Sequence, residues 1–166
     1  SVPFWALCER YFINYAGHGS DTVYVPVFTP SLDGVKRPTQ LLDVRTPSPG
    51  KYEFDWTNVR RWIRLAQACG IRRFEWAHLF TQWGCAYAIR VYRDMADEAS
   101  LLWPADTGAT SDTYRNFLSQ FLPALQREGT ASPRRQAGAA CVQVDDEASQ
   151  QVVRTGAWRA GSTGLS

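Results

Sequence analysis

One stretch of the chain constrains the fold most: the apolar and aromatic run over residues 72–84. It follows a helical pattern that stops at Gly70, and its first part has the length of one buried strand. His78, Gln82 and Trp83 come at its end. Because helices cover both faces of a parallel sheet, a ligand meets the residues at the carboxyl ends of its strands. These three residues are therefore candidate substrate contacts, and ordinary half-buried packing is the alternative.

Helical and strand patterns alternate around this run. Apolar spacing predicts helices over residues 4–17, 57–69 and from residue 111 onward, and a β-branched, aromatic strand over residues 22–28. This order predicts an α/β fold with parallel strands and right-handed helical crossovers. The residues predicted to face the core are Phe4, Leu7, Tyr11, Phe12 and Tyr15 in the first helix, Val59, Trp62, Ile63 and Ala66 in the second, and Tyr114, Phe117, Leu118, Phe121, Leu122 and Leu125 in the third.

Two prolines interrupt these patterns. Pro26 removes a donor from the predicted strand, which is awkward for a central position in a sheet. Pro123 lies inside the third helical stripe, where we expect a kink or an early end. Thr110 or Ser111 is the predicted cap of that helix, and Gly70 is the predicted left-handed residue after the second.

A long excursion, rich in proline and glycine, separates the first strand from the second helix. Residues 39–45 and 51–55 are predicted to pair as a short hairpin across residues 46–50. Loops of this length in a compact domain are usually functional or poorly ordered. Asp33, Arg37 and Gln40 are therefore candidate ligand contacts, with exposed turn polarity as the alternative.

Composition limits the classes of partner. A formal net charge of +2, with scattered arginines, does not predict nucleic-acid binding. No stretch approaches the roughly 20 apolar residues of a membrane span, and the first residues do not resemble a signal peptide, which leaves localisation open. The four cysteines are widely spaced, which favours small buried residues over disulfides or zinc ligands. No metal or cofactor is predicted.

A series of motifs then identifies a family. These are Val25-Pro26-Val27-Phe28-Thr29-Pro30, Leu32-Asp33-Gly34, Arg37-Pro38-Thr39-Gln40-Leu41, Tyr52-Glu53-Phe54-Asp55-Trp56, Phe74-Glu75-Trp76, His78-Leu79-Phe80-Thr81-Gln82-Trp83-Gly84, and Tyr114-Arg115-Asn116-Phe117-Leu118 followed by Phe121-Leu122-Pro123-Ala124-Leu125. In this order they resemble the catalytic domain of glycoside hydrolase family 123, which overlaps a set of bacterial domains of unknown function. The likeness spans roughly residues 4–126.

The resemblance implies a (β/α)₈ barrel and a retaining β-N-acetylgalactosaminidase, so that an N-acetylhexosamine glycan is the expected partner. In such enzymes the substrate's 2-acetamido oxygen is the nucleophile, a Glu is general acid and then base, and a neighbouring Asp orients the acetamido N–H. The family's acid pair is an Asp-Glu dipeptide after the helix that contains the Phe-Leu-Pro-Ala-Leu motif.

Asp146-Glu147 is the matching pair, after a predicted strand over residues 140–144. It departs from the family pattern, because Gln143, Asp145 and Ala148 stand where the family has His, Ser and Pro. The other Asp-Glu pair, at residues 97–98, precedes the matching helix.

The length of the chain predicts only part of a barrel. A complete barrel of this type has about 250 residues, whereas about three strands with covering helices are predicted here. We expect a partial catalytic barrel over residues 1–148 and a poorly ordered, low-complexity tail over residues 149–166. An open barrel would expose strand edges and apolar helix faces. The alternatives to an active enzyme are an inactive carbohydrate-binding remnant and a non-functional fragment.

Overall fold

A computed structural model of the chain describes residues 3–29, 39–76, 78–80, 85–97 and 99–131. The elements in chain order are α1 (Phe4–Gly17), β1 (Thr22–Val25), β2 (Asp43–Ser48), β3 (Lys51–Asp55), α2 (Thr57–Ala68), β4 (Arg73–Trp76) and α3 (Asp112–Ala131). The fold is mixed α/β, as predicted, and the described strands form no closed barrel. None of the helices in these ranges is long and apolar enough to cross a membrane.

The strands β1 and β4 pair in parallel, in a register that runs from Thr22 beside Arg73 to Val25 beside Trp76. The predicted strand over residues 22–28 stops at Val25 because Pro26 has no N–H to donate. The chain beyond it bonds elsewhere: the backbone N–H groups of Leu41 and Leu42 donate to the carbonyls of Pro26 and Val27 at 2.8 and 3.2 Å.

The helices α1 and α2 form a small apolar cluster that also includes the strand pair. Its buried members are Cys8, Phe12, Ala66 and Ile71, and Val23 and Phe74 of the two strands pack against it. Phe12 meets Trp62 of α2 edge to face, with ring centroids 4.8 Å apart. Gly70 follows α2 with a φ of 99°, the left-handed conformation that the sequence predicted.

The strands β2 and β3 form an antiparallel hairpin that is held at its tip by α3. Gly50, at a φ of 71°, turns the chain, and its carbonyl accepts hydrogen bonds from Asn116 Nδ2 at 2.7 Å and Gln120 Nε2 at 2.9 Å. The hairpin strand β2 begins at Asp43 and not at residue 39 as predicted. The backbone N–H groups of Leu41 and Leu42 are instead hydrogen-bonded to the chain that follows β1.

The main core is aromatic and centres on α3. Ser111 Oγ accepts a hydrogen bond from the Tyr114 N–H at 3.2 Å, as expected of a cap. The helix continues past Pro123 to Ala131, so the predicted early end is wrong. Because Pro123 has no N–H, the carbonyl of Ser119 lacks its usual helical hydrogen bond. Both residues are exposed, so water can bond to this carbonyl instead. The α3 side chains buried in the core are Tyr114, Phe117, Leu118, Phe121, Ala124 and Leu125.

The helix α1 packs through a face that shares only Phe12 with the predicted one. Tyr11 is 66% exposed and Phe4 is 55% exposed, and Leu7 and Tyr15 are exposed as well, whereas Phe12 is 3% exposed. Contact is instead made through Cys8 and Phe12, with Trp5 and Ala16 at their sides. Because two neighbouring faces of α1 are apolar, spacing alone did not identify the packed one. An apolar face of α1 is thus exposed.

The packing of α1 predicts different costs for neighbouring aromatic substitutions. Phe12→Ala should lower the free energy of unfolding by about 3–5 kcal/mol, because it empties a buried site. Tyr11→Ala should change it by no more than about 0.5 kcal/mol, because the side chain lies in solvent. Urea titrations of the two variants and the wild type measure both values. Equal losses would contradict this account of the packed face.

Candidate functional site

His78 lies at the carboxyl end of the parallel strand pair. β4 ends at Trp76. The half-buried His78 ring lies beside the Tyr24 ring of β1, with ring centroids 6.2 Å apart and planes inclined by 33°. This is the edge of a parallel sheet where ligands bind. The substrate contact of His78 itself stays a prediction.

Two further polar side chains, which were not among the predicted site residues, lie on these strands. Tyr24 of β1 and Glu75 of β4 are partners in the parallel register, so their side chains leave the same face of the sheet. The Tyr24 hydroxyl is buried and has no hydrogen-bond partner of ordinary geometry within the described residues. Glu75 is the acidic residue of β4, between the aromatic residues Phe74 and Trp76, and this was the available sequence signal.

The environment of Tyr24 keeps its hydroxyl neutral. Burial raises the pKa of the Tyr24 hydroxyl above its usual value, the nearby His78 backbone offsets part of the rise, and the Glu75 charge adds to it. The influence of Glu75 is consistent with adjacent side chains on neighbouring strands. Tyr24 is therefore a hydrogen-bond donor throughout the neutral pH range.

The backbone after His78 is anchored by α3. The Tyr114 hydroxyl donates a hydrogen bond to the carbonyl of Leu79. The Tyr114 ring is fully buried and meets Phe80 at 6.3 Å and Trp103 at 5.5 Å between ring centroids. The position of His78 is therefore fixed by the aromatic core as well as by β4.

Tyr114 should be the last tyrosine to ionise. Burial raises its pKa far above the ordinary value of 10.0. Because the folded pKa is the higher one, the contribution of neutral Tyr114 to stability is complete below that ordinary value and is lost progressively as the pH rises from it towards the folded pKa. A near-ultraviolet titration should show one of the seven tyrosines ionising only on unfolding.

The matched variant is Tyr114→Phe. It should lose this late ionisation and also about 1 kcal/mol of stability at neutral pH, the usual contribution of one hydrogen bond. A late tyrosine that persists in Tyr114→Phe would contradict the assignment.

Gln40 is buried and joins two distant segments. Its Nε2 donates to the carbonyls of Leu42 at 2.8 Å and Tyr92 at 2.9 Å, and its Oε1 accepts from the Tyr92 N–H at 3.0 Å. These bonds hold the segment around residues 85–103 against the chain that follows β1. They give Gln40 a structural role, and its contact with substrate stays a prediction.

The bonds of Gln40 predict a large effect of its removal. Gln40→Leu leaves buried backbone groups of Leu42 and Tyr92 without partners, so stability should fall by at least about 2 kcal/mol. Gln67→Leu, the same change at an exposed position of α2, should alter stability by no more than about 0.5 kcal/mol. Thermal unfolding of both variants measures the difference. Equal effects would show that the Gln40 bonds do not stabilise the fold.

Six of the predicted site residues lie outside the described residues: Asp33, Arg37, Gln82, Trp83, Asp146 and Glu147. The ends of the segment that carries Asp33 and Arg37 are close together, since the Thr39 N–H donates to Thr29 Oγ1 at 3.0 Å. That link lies just beyond the carboxyl end of β1.

Among the described residues, the other polar groups form no comparable site. Within the described ranges no three His, Cys, Asp or Glu side chains are grouped to hold a metal ion. Cys8 and Cys85 are buried and Cys69 is half-buried, all as free thiols, whereas Cys141 lies outside these ranges.

An open groove between α1 and α2 is lined by Trp5, Glu9, Thr57, Arg61 and Arg64, among others. Arg61 occupies it, with its guanidinium 4.4 Å from the centre of the Trp5 ring.

Comparison with known proteins gives one family. The model of the glycoside hydrolase 123 catalytic domain matches residues 1–158, which include every described residue from Pro3 to Ala131 and also Asp146-Glu147. No curated protein matches the chain. Since the family model covers most of the chain, this protein belongs to the glycoside hydrolase family 123 catalytic domains.

Proposed function

We propose that the chain carries the catalytic residues of a retaining β-N-acetylgalactosaminidase, which removes terminal N-acetylgalactosamine with help from the substrate's own acetamido group. The observation that carries the proposal is the family match over residues 1–158, which indicates glycoside hydrolase activity and a carbohydrate substrate. The sugar, the linkage and the mechanism are the proposed part.

We propose that β1 and β4 are neighbouring strands of a (β/α)₈ barrel, within a catalytic domain over residues 1–148 that precedes a tail over residues 149–166. Among the described strands β4 pairs only with β1, so its second edge offers backbone groups to a further strand. The next strand pattern, over residues 140–144, follows α3. A parallel strand added through α3 would bring its carboxyl end to the same edge as His78.

At that edge Asp146 and Glu147 supply the acid chemistry. Glu147 donates a proton to the glycosidic oxygen while the acetamido oxygen attacks the anomeric carbon, and the leaving group departs as an alcohol. Asp146 accepts a hydrogen bond from the acetamido N–H and stabilises the positive charge of the oxazoline. Glu147 then takes a proton from water, whose oxygen opens the oxazoline with net retention.

The remaining predicted residues bind the sugar. His78, Gln82 and Trp83 lie in one sequence segment after β4, and a Trp face suits the apolar face of a pyranose. Asp33 and Arg37 belong to the segment tied to β1 by Thr29 and Thr39. Gln40 contributes to the site through its buried bonds to Tyr92.

Hydrolysis of a chromogenic N-acetyl-β-galactosaminide tests the proposal. The wild-type chain should release the chromophore, and Glu147→Gln should lower kcat/KM at least about 100-fold, because the variant cannot transfer the proton. The matching β-galactoside should resist hydrolysis, since it lacks the acetamido nucleophile.

The second Asp-Glu pair supplies the control. Asp97 Oδ1 accepts the Ala99 N–H at 2.9 Å in a local turn, so Asp97→Asn should leave kcat/KM unchanged. Equal hydrolysis of both glycosides, or undiminished activity in Glu147→Gln, would contradict the mechanism.

A carbohydrate-binding domain without activity is the second candidate. The departures at Gln143, Asp145 and Ala148 beside the acid pair favour it. It predicts that the chain binds N-acetylgalactosamine in an equilibrium titration but releases no chromophore from the glycoside.

A further inference from the structure

Tyr24 and Glu75 form a polar pair that the proposed mechanism does not use. They lie side by side on β1 and β4, in register, one residue before the last residue of each strand. Strands in a sheet lie about 4.8 Å apart, so in-register side chains on one face are close neighbours. His78 completes the group, with its ring beside that of Tyr24.

Neither member of the pair has a hydrogen bond of ordinary geometry to the described part of the protein. The Tyr24 hydroxyl is buried, and the His78 backbone approaches it without forming such a bond. Glu75 is half-buried, and no hydrogen bond or ion pair to its carboxylate is found within the described ranges. Buried polar groups in native proteins are normally paired, so the unpaired Tyr24 hydroxyl needs a cause, and a ligand is one.

The only other buried side-chain atom without a partner in these ranges has a different environment. Trp62 Nε1 belongs to a ring that meets Phe12 edge to face, with centroids 4.8 Å apart, on the helix-covered side of the fold. An aromatic ring can accept an N–H weakly. Tyr24, in contrast, lies beside a carboxylate and at the ligand-binding edge of the strand pair.

We infer that Tyr24 and Glu75 bind one hydroxyl group of the sugar. The Glu75 carboxylate accepts the hydroxyl proton, and the Tyr24 hydroxyl donates to the oxygen of the same group. A sugar hydroxyl is both donor and acceptor and therefore suits this combination of acceptor and donor. The inference rests on the proposed function.

Binding and stability should change in opposite directions when the Tyr24 hydroxyl is removed. Tyr24→Phe should weaken N-acetyl-D-galactosamine binding about tenfold, the effect of one lost hydrogen bond. The same variant without ligand should melt at an equal or higher temperature, because a buried unpaired group has been removed. A merely structural hydroxyl would not give this combination.

The experiment is calorimetric titration of N-acetyl-D-galactosamine into wild type, Tyr24→Phe and Glu75→Gln, with Tm measured for each. The matched controls are Tyr52→Phe and Glu53→Gln on the hairpin strand β3, which should bind as wild type does. Weaker binding in both test variants, with unchanged controls, supports the pair. Wild-type affinity in Tyr24→Phe and Glu75→Gln would overturn the inference and leave the proposed function standing. A wild-type chain that does not bind the sugar would overturn both.

Sugars that lack single hydroxyl groups identify the bound group. One deoxy sugar lacks the hydroxyl group that Glu75 binds, and for this sugar Glu75→Gln should cause no further loss of affinity. For the other deoxy sugars, Glu75→Gln should weaken binding as much as it does for N-acetyl-D-galactosamine. If Glu75→Gln weakened the binding of every deoxy sugar by the same factor, the carboxylate would not contact one particular hydroxyl group, and the inference would be overturned.

Discussion

The parallel pairing of β1 with β4 is the contact on which the site depends. Each strand has four residues, and about fifty residues separate the partners in sequence. Their register alone places Tyr24 beside Glu75 and brings His78 to the same edge. A shift of one residue would turn Tyr24 and Glu75 to opposite faces. So short a pair needs support from the layers around it.

That support comes from two sides. The cluster of α1 and α2 packs against Val23 and Phe74 and fixes the strand pair from one side. The aromatic core around α3 reaches the edge itself, because Tyr114 holds the carbonyl next to His78 and the Gln40 amide holds a more distant segment. Buried hydrogen bonds of this kind specify one arrangement of the chain because alternatives leave groups unpaired. The core therefore determines the geometry of the site as well as the stability of the fold.

Local pattern predicted the element order and the faces of α2 and α3, because each has a single apolar stripe opposite a polar face. For α1, which has two apolar faces, it predicted the buried Phe12 but also four residues that are exposed, and the Pro26 break shortened β1. The place of His78 just after a strand was predicted from the apolar run that precedes it. The pairing of Tyr24 with Glu75 was not predicted. It depends on the register between two strands that are distant in sequence, and the spacing of residues within one segment does not reveal that register.

The most direct test of the account maps the sugar onto the fold by nuclear magnetic resonance, with N-acetyl-D-galactosamine titrated into the labelled chain. Because the carboxyl edge of β1 and β4 is the proposed site, amide shifts should change at Tyr24, Glu75 and His78. Signals from the helix groove around Trp5 and Arg61, where an aromatic ring is also available, should stay constant. Changes confined to the groove would contradict the central claim.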